Sequence, residues 1–352
     1  MSKNISSNER FVKFIAYMQV IGIILVVFGH SFHEYPDGNH GTSMLIYRMM
    51  FSFRMPTFMF VSGFLMAFTT FLRNDVSNLS YKKFVKNKIK RLLIPYAVLT
   101  LVTFFPRAIM SPMADDAIEM SWAGLVRGFL YIGYMPVPLF WFIQASFLLL
   151  VFSFSIMYVT VRCGVNKYVG VCSLIVLFTM LPFFEISNVA LFSIGYAVKY
   201  GLFFSCGIIY AISFKKIDAV VPFHRLTFLM VSGALWGILF FLTEQTVLYP
   251  LCQLAGIVMV ISIAHIMEYR DIKVIDHLIG SNYMIFLLSW YFNVLTQQVL
   301  AHVIVLPWYI HTVLSIVFGI YIPYLFYRYL CAHQHLRGIR YVACLLGQNI
   351  GR

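Results

Sequence analysis

The chain has 352 residues, 61% of them hydrophobic and only 11% charged, with a formal net charge of +13. A soluble domain carries about 25% charged residues. This composition, with a mean hydropathy of +0.83, therefore excludes a disordered, collagen-like or disulfide-stapled chain and argues against a water-soluble enzyme. Lipid is the solvent that suits it, so the expected fold is all-α, a polytopic membrane protein.

A helix needs about 20 mainly apolar residues to cross the hydrocarbon. Ten such stretches follow one another, at about 13–33, 44–70, 93–112, 137–160, 168–185, 192–213, 226–244, 249–268, 277–302 and 307–330. They fill the chain, which predicts one integral membrane domain over 1–352, with a short N-terminal segment at 1–12 and a tail at 331–352. The first apolar run is too long for the core of a cleavable leader and has no small-residue cleavage site after it. Between spans, SYKKFVKNKIKRLL at 80–93 reads as a basic amphipathic helix on the inner surface, and the tail 331–352 as a second one. The stretch 113–136, with Trp122 and Tyr131, reads as a long outer loop with room for a re-entrant or interfacial helix. Six cysteines show no metal-like spacing and read as small buried hydrophobes.

Orientation follows from where Lys and Arg fall. With the N-terminus in the cytoplasm, all but five of the 26 basic residues lie on the inner side, in clusters such as Lys82 to Arg91. Both termini are then cytoplasmic. Arg48, Arg54, Arg107, Arg127 and Lys199 are the five left outside or within spans. Topology and anionic lipid account for the basic excess, so no nucleic-acid partner is needed.

Polar groups at membrane depth are costly and mark candidate sites. In the first span, Gln19 and His30 stand eleven residues apart, about three turns, which puts them on one face about 16 Å apart. The plainer reading of His30 is a capping histidine bonded to a neighbouring span; the sharper one is a catalytic group. Arg54 lies two residues before Pro56, whose missing amide frees a carbonyl. Ser62 and Gly63 read first as packing residues. Lys199 lies deeper and needs a partner such as Glu185 or a ligand anion.

The stretches IGIILVVFGHS and FSFRMPTFMFVSGFL, followed in order by KNKIKRLLIPY, PLFWFIQASFLL and GSNYMIFLL, resemble the acyltransferase-3 family of bacterial membrane proteins, most of all its fucose 4-O-acetylase-like branch. The resemblance covers nearly the whole chain. It implies a multi-pass O-acyltransferase of the bacterial cytoplasmic membrane. Such an enzyme passes an acyl group, usually acetyl from cytoplasmic acetyl-CoA, to a hydroxyl of a polysaccharide or lipid-linked glycan. Acetyl-CoA is then a donor substrate, with no permanently bound cofactor and no metal. Membrane lipid and polysaccharide-assembly proteins are further expected partners.

The resemblance places the signature histidine on His30, the Lys-x-x-Arg motif on Lys88 and Arg91, and the span tryptophan on Trp141. It implies that His30 acts as general base or acyl carrier and that Arg54 stabilises an oxyanion. Lys88, Lys90 and Arg91 are implied to meet the phosphates of CoA, and Trp141 to line the tunnel or stack on a ring. Gln19, Lys199, Asn282 and Ser289 are weaker binding candidates. Three positions depart from the family pattern. Gln19 stands for a basic residue and can hydrogen-bond a phosphate without neutralising it; Arg54 stands where relatives often have His; Ser289 replaces a second histidine. These departures leave two rivals standing beside an active enzyme: a non-catalytic relative, and a transporter or flippase of a lipid-linked sugar or anion.

Overall fold

The computed structural model describes residues 7–32, 41–72, 79–110, 119–244, 246–303 and 307–348. Thirteen α-helices follow in chain order: α1 (Ser7–His30), α2 (Gly41–Ala67), α3 (Tyr81–Lys88), α4 (Ile94–Met110), α5 (Trp122–Leu130), α6 (Trp141–Arg162), α7 (Lys167–Met180), α8 (Ile194–Val220), α9 (Leu226–Thr243), α10 (Tyr249–Tyr269), α11 (Asn282–Val303), α12 (Trp308–Ala332) and α13 (Arg337–Leu345). The described residues contain no strand beyond one isolated bridge between Tyr131 and Leu191. The protein is an all-α, multi-pass membrane protein, as the composition requires.

Among the described residues, nine helical segments are long and apolar enough to cross a membrane. The tenth expected span is present as α11, which is 22 residues long and so reaches about 33 Å. Along it Asn282, Ser289, Asn293, Thr296 and Gln297 recur at spacings of seven, four, three and one, a polar stripe along one face. That stripe has structural work, described below.

The basic stretch at 80–93 is helical and continuous with the span that follows. Ser80 caps α3 through the Lys83 amide, and a π-helical turn at Ile89–Leu93 carries the rod straight into α4. The physical reason is Phe84, whose ring stacks on Phe154 of α6 at 3.9 Å and 9°, holding α3 to the bundle. The long loop does contain a helix, α5, capped by Ser121 at the Gly124 amide (3.0 Å). Its Leu125 packs with Phe104 and Ala108 of α4. The tail forms α13, short, with Ala343 buried and Tyr341 exposed. All six cysteines are free, but only Cys252 is buried in the protein. Cys163, Cys172 and Cys344 are exposed; of these Cys172 lies in a span, where an exposed apolar residue meets lipid, and the other two lie outside the spans.

The chain divides into two compact units: Met1–Val61 with Ser213–Tyr329, and Ser62–Ile212 with Leu330–Arg352. In the first, small residues let helices close up: a Cβ on Gly256 of α10 would lie 2.3 Å from the Phe53 side chain. Trp236 donates its indole N–H to the Ser52 hydroxyl at 3.0 Å, and Arg48 pairs with Glu244. In the second, a Cβ on Gly63 would lie 2.0 Å from the carbonyl oxygen of Phe204, so the packing role read for Gly63 holds.

In this second unit Gln144 of α6, fully buried, ties three segments together. Its amide donates to the Phe129 carbonyl (2.7 Å) and the Tyr96 hydroxyl (2.9 Å), and its oxygen accepts from Ser193 (2.7 Å). The Tyr96 hydroxyl also donates to the Phe129 carbonyl (2.7 Å), so Gln144→Leu keeps the bulk but orphans the buried Ser193 hydroxyl, at a cost of about 1–3 kcal/mol. A lower midpoint of thermal unfolding in detergent is the expected result, and an unchanged midpoint would show the network to be dispensable.

Candidate active site

Helix α1 ends at His30, and the last four carbonyls of any helix lack partners within it. At membrane depth each unsatisfied carbonyl costs several kcal/mol. The chain closes this end in two ways. Ser31, fully buried, folds back so that its hydroxyl donates to the Val27 carbonyl (2.9 Å) and its amide to that of Phe28 (3.1 Å). From α11, the Asn293 amide donates to the Val27 carbonyl (3.4 Å) and the Gln297 amide to the His30 carbonyl (3.1 Å). Two amides four residues apart thus cap α1 and fix the backbone that carries the imidazole, leaving His30 itself partly exposed.

Arg54 reaches the same place from α2. Its side chain is buried, 3% exposed. A Cβ on Gly29 would lie 1.4 Å from its Nη1 and 2.6 Å from its Cζ, so the guanidinium rests on the bare backbone one residue before His30. Gly22, two turns earlier, receives Phe58 in the same manner, at 3.0 Å. The α1 glycines therefore form a shallow face into which the antiparallel α2 sets Phe58 and Arg54. Aromatic faces line the cation: its Cζ is 4.7 Å from the Phe51 ring centroid and 5.5 Å from that of Tyr47. Arg54 also interacts electrostatically with His30.

Helix α12 completes this corner. A Cβ on Gly319 would meet Asn293 Oδ1 at 2.0 Å and Val27 Cγ1 at 2.9 Å, so α12 approaches where α1 and α11 touch. His311 and Ser315 precede Gly319 at four-residue spacing and share its face, 3% and 0% exposed. Buried oxygens of Asn282, Ser289, Asn293 and Ser315 have no hydrogen-bond partner among the described residues. Unsatisfied polar atoms in a packed interior call for an explanation; of these four, Asn293 and Ser315 lie on the faces of α11 and α12 nearest the end of α1, while Asn282 starts α11, far along the helix from Gln297. Gln19 is partly exposed on α1.

The remaining candidates belong to the second unit. Lys88 ends α3 with its ammonium 5.1 Å from the Phe84 ring, while Lys90 and Arg91 sit exposed in the π-helical turn. Trp141, the first residue of α6, stacks on Tyr196 (4.2 Å, 26°) and Tyr200 (5.6 Å). Thirteen residues along α6, about 20 Å, separate it from Phe154, where α3 docks. Lys199 is exposed on α8 and makes no ion pair with Glu185 among the described residues.

A family model described as an acyltransferase domain matches residues 12–328. The chain belongs to the acyltransferase-3 family. No curated protein and no solved structure matches it significantly. As a member of that family it is a multi-pass membrane acyltransferase. The match spans both helical units, and within this acyltransferase the structure brings His30, Arg54, Asn282 and Ser289 into the first unit, and Lys88, Lys90, Arg91, Trp141 and Lys199 into the second. Sequence reasoning passed over Gly29, Asn293, Gln297 and Tyr196. The period of the α11 polar stripe was the available signal for the two amides; a glycine beside a histidine and a tyrosine in an aromatic-rich span carried none.

Proposed function

We propose that this family member is an O-acyltransferase that moves an acetyl group from cytoplasmic acetyl-CoA to a hydroxyl of a cell-surface or exported carbohydrate, in the bacterial cytoplasmic membrane with both termini inside. The observation that carries the reading is the seat of Arg54 on Gly29, which sets a permanent cation against the backbone one residue before His30. Acyl transfer from a thioester needs such a pair. The hydroxyl oxygen attacks the carbonyl carbon while His30 takes its proton. The carbonyl oxygen gains negative charge, which Arg54 stabilises in a low-dielectric pocket. The C–S bond then breaks, and the CoA thiolate leaves with the proton from the imidazole. If His30 instead carries the acyl group covalently, the same oxyanion forms twice and the same cation serves both steps.

Lys88, Lys90 and Arg91 supply cations for the phosphates of the donor, Trp141 an aromatic face, and Gln19, Asn282 and Ser289 neutral hydrogen-bonding groups for the acyl chain or acceptor. Polysaccharide-assembly proteins are the natural neighbours of such an enzyme. Membranes containing the protein, incubated with acetyl-labelled acetyl-CoA, should place label in glycan as an ester released by mild base. Sugar uptake with no label transfer would instead identify a transporter.

A further inference from the structure

Five basic residues escape the inner-side clustering of Lys and Arg, and the structure gives four of them intramolecular partners. Arg48 pairs with Glu244, Arg54 sits on Gly29, Arg107 donates to the Pro136 carbonyl at 2.6 Å, and Arg127 lies 5.9 Å from the Tyr134 ring. Lys199 has only the neighbouring Tyr200 ring, 5.9 Å from its ammonium. It makes no ion pair among the described residues and opens into a cavity of about 340 Å³, within the ~300–1,000 Å³ usual for small-ligand sites.

That cavity is built. Ser187, Asn188 and Tyr196 line it beside Lys199, with the backbone around Gly133 and Gly195. Trp141 and Tyr200 stack with Tyr196 and hold its ring in place. The second of its two lining loops ends in a strained form: Phe192 and Ser193 both adopt left-handed backbone angles (φ 47° and 55°), unfavourable for residues with a Cβ. The Phe192 amide bonds to the Leu130 carbonyl (2.6 Å), Leu191 bridges Tyr131, and the Ser193 hydroxyl bonds to Gln144. Both lining loops, 131–136 and 185–193, fall on the outer side in the proposed orientation.

We infer that this cavity binds an acidic sugar of the carbohydrate acceptor, with its carboxylate on Lys199, its ring against Tyr196 and its hydroxyls on Ser187 and Asn188. An aromatic face, an amide, a hydroxyl and one unpaired cation are the groups that recognise a uronic acid: the ring's C–H face packs on the arene while the carboxylate takes a charge-assisted hydrogen bond. The inference rests on the carbohydrate-acceptor reading, which a separate assay tests.

Full-length protein purified in uncharged detergent is titrated with a tetrasaccharide of alternating glucuronate and N-acetylglucosamine, and with the same compound after its carboxylates are reduced to alcohols. The acidic form should bind at least roughly tenfold tighter. Lys199→Gln should erase the difference, Lys199→Arg should keep most of it, and Tyr196→Ala should weaken both compounds. Equal binding of the two compounds, no binding of either, or a preference that survives Lys199→Gln would overturn the inference. Displacement of the tetrasaccharide by phosphatidylglycerol would overturn it too, by making the cavity a lipid site. The labelled-acetyl assay run in parallel separates the two readings. An acid preference without label transfer removes the acyltransfer chemistry and leaves the sugar site, whereas label transfer without the preference does the reverse.

Discussion

His30→Ala should lower acyl transfer by about 10²–10⁴-fold, the usual contribution of a positioned general base, and by more if the imidazole carries the acyl group itself. The amount of protein in the membrane should not change. The reason lies in what holds His30. Its backbone carbonyl is capped by Gln297 and that of Val27 by Asn293 and Ser31, and none of these bonds uses the imidazole. Removing the ring leaves the helix end satisfied, so lost activity reports chemistry and not misfolding. Transfer at the wild-type rate by a His30→Ala protein would remove the histidine from the mechanism. Gln297→Leu makes a useful contrast: it orphans a carbonyl and loosens the ring's position, so it should depress activity and thermal stability together.

Gly29→Ala should cost almost as much transfer as Arg54→Ala, although position 29 has no side chain to lose. Its new methyl carbon would stand 1.4 Å from Arg54 Nη1, a distance no structure tolerates, and the far end of a flexible side chain is what gives way. Displacing the guanidinium removes the oxyanion's cation, a loss of about 10²–10³-fold in turnover, or roughly 3–4 kcal/mol. The two substitutions act through one group, so their effects should not add: Gly29→Ala introduced into Arg54→Ala should cost little further. Full additivity in that double-mutant cycle would mean Gly29 matters for helix packing alone. Arg54→Lys keeps the charge but loses the planar fork, and should fall between wild type and Arg54→Ala.

The sequence by itself determined the class of molecule. A chain with 61% hydrophobic residues and 11% charged ones has side chains suited to lipid, and in lipid the backbone must hydrogen-bond to itself, as helices do. Near-continuous apolar runs made its helices legible, and the same runs carried the family. His30 and Arg54 stood out because a polar side chain in hydrocarbon must be compensated. Some compensation is local in the chain: the Ser80 and Ser121 caps act within three residues.

The tertiary structure alone decided what surrounds those groups. The amides that cap α1 come from residues 266 and 267 positions away in the chain, and the cation beside His30 owes its seat to a missing Cβ on another helix. That 80–93 runs on into α4, with Phe84 stacked on Phe154, shows only in the fold. Lys199 stands in an apolar run, yet it lines a cavity together with Tyr196 and loop residues from far along the chain, Ile132 and Gly133 among them. Hydropathy records which residues leave water; which of them then meet depends on close packing between helices, and that is a property of shapes brought together by the fold.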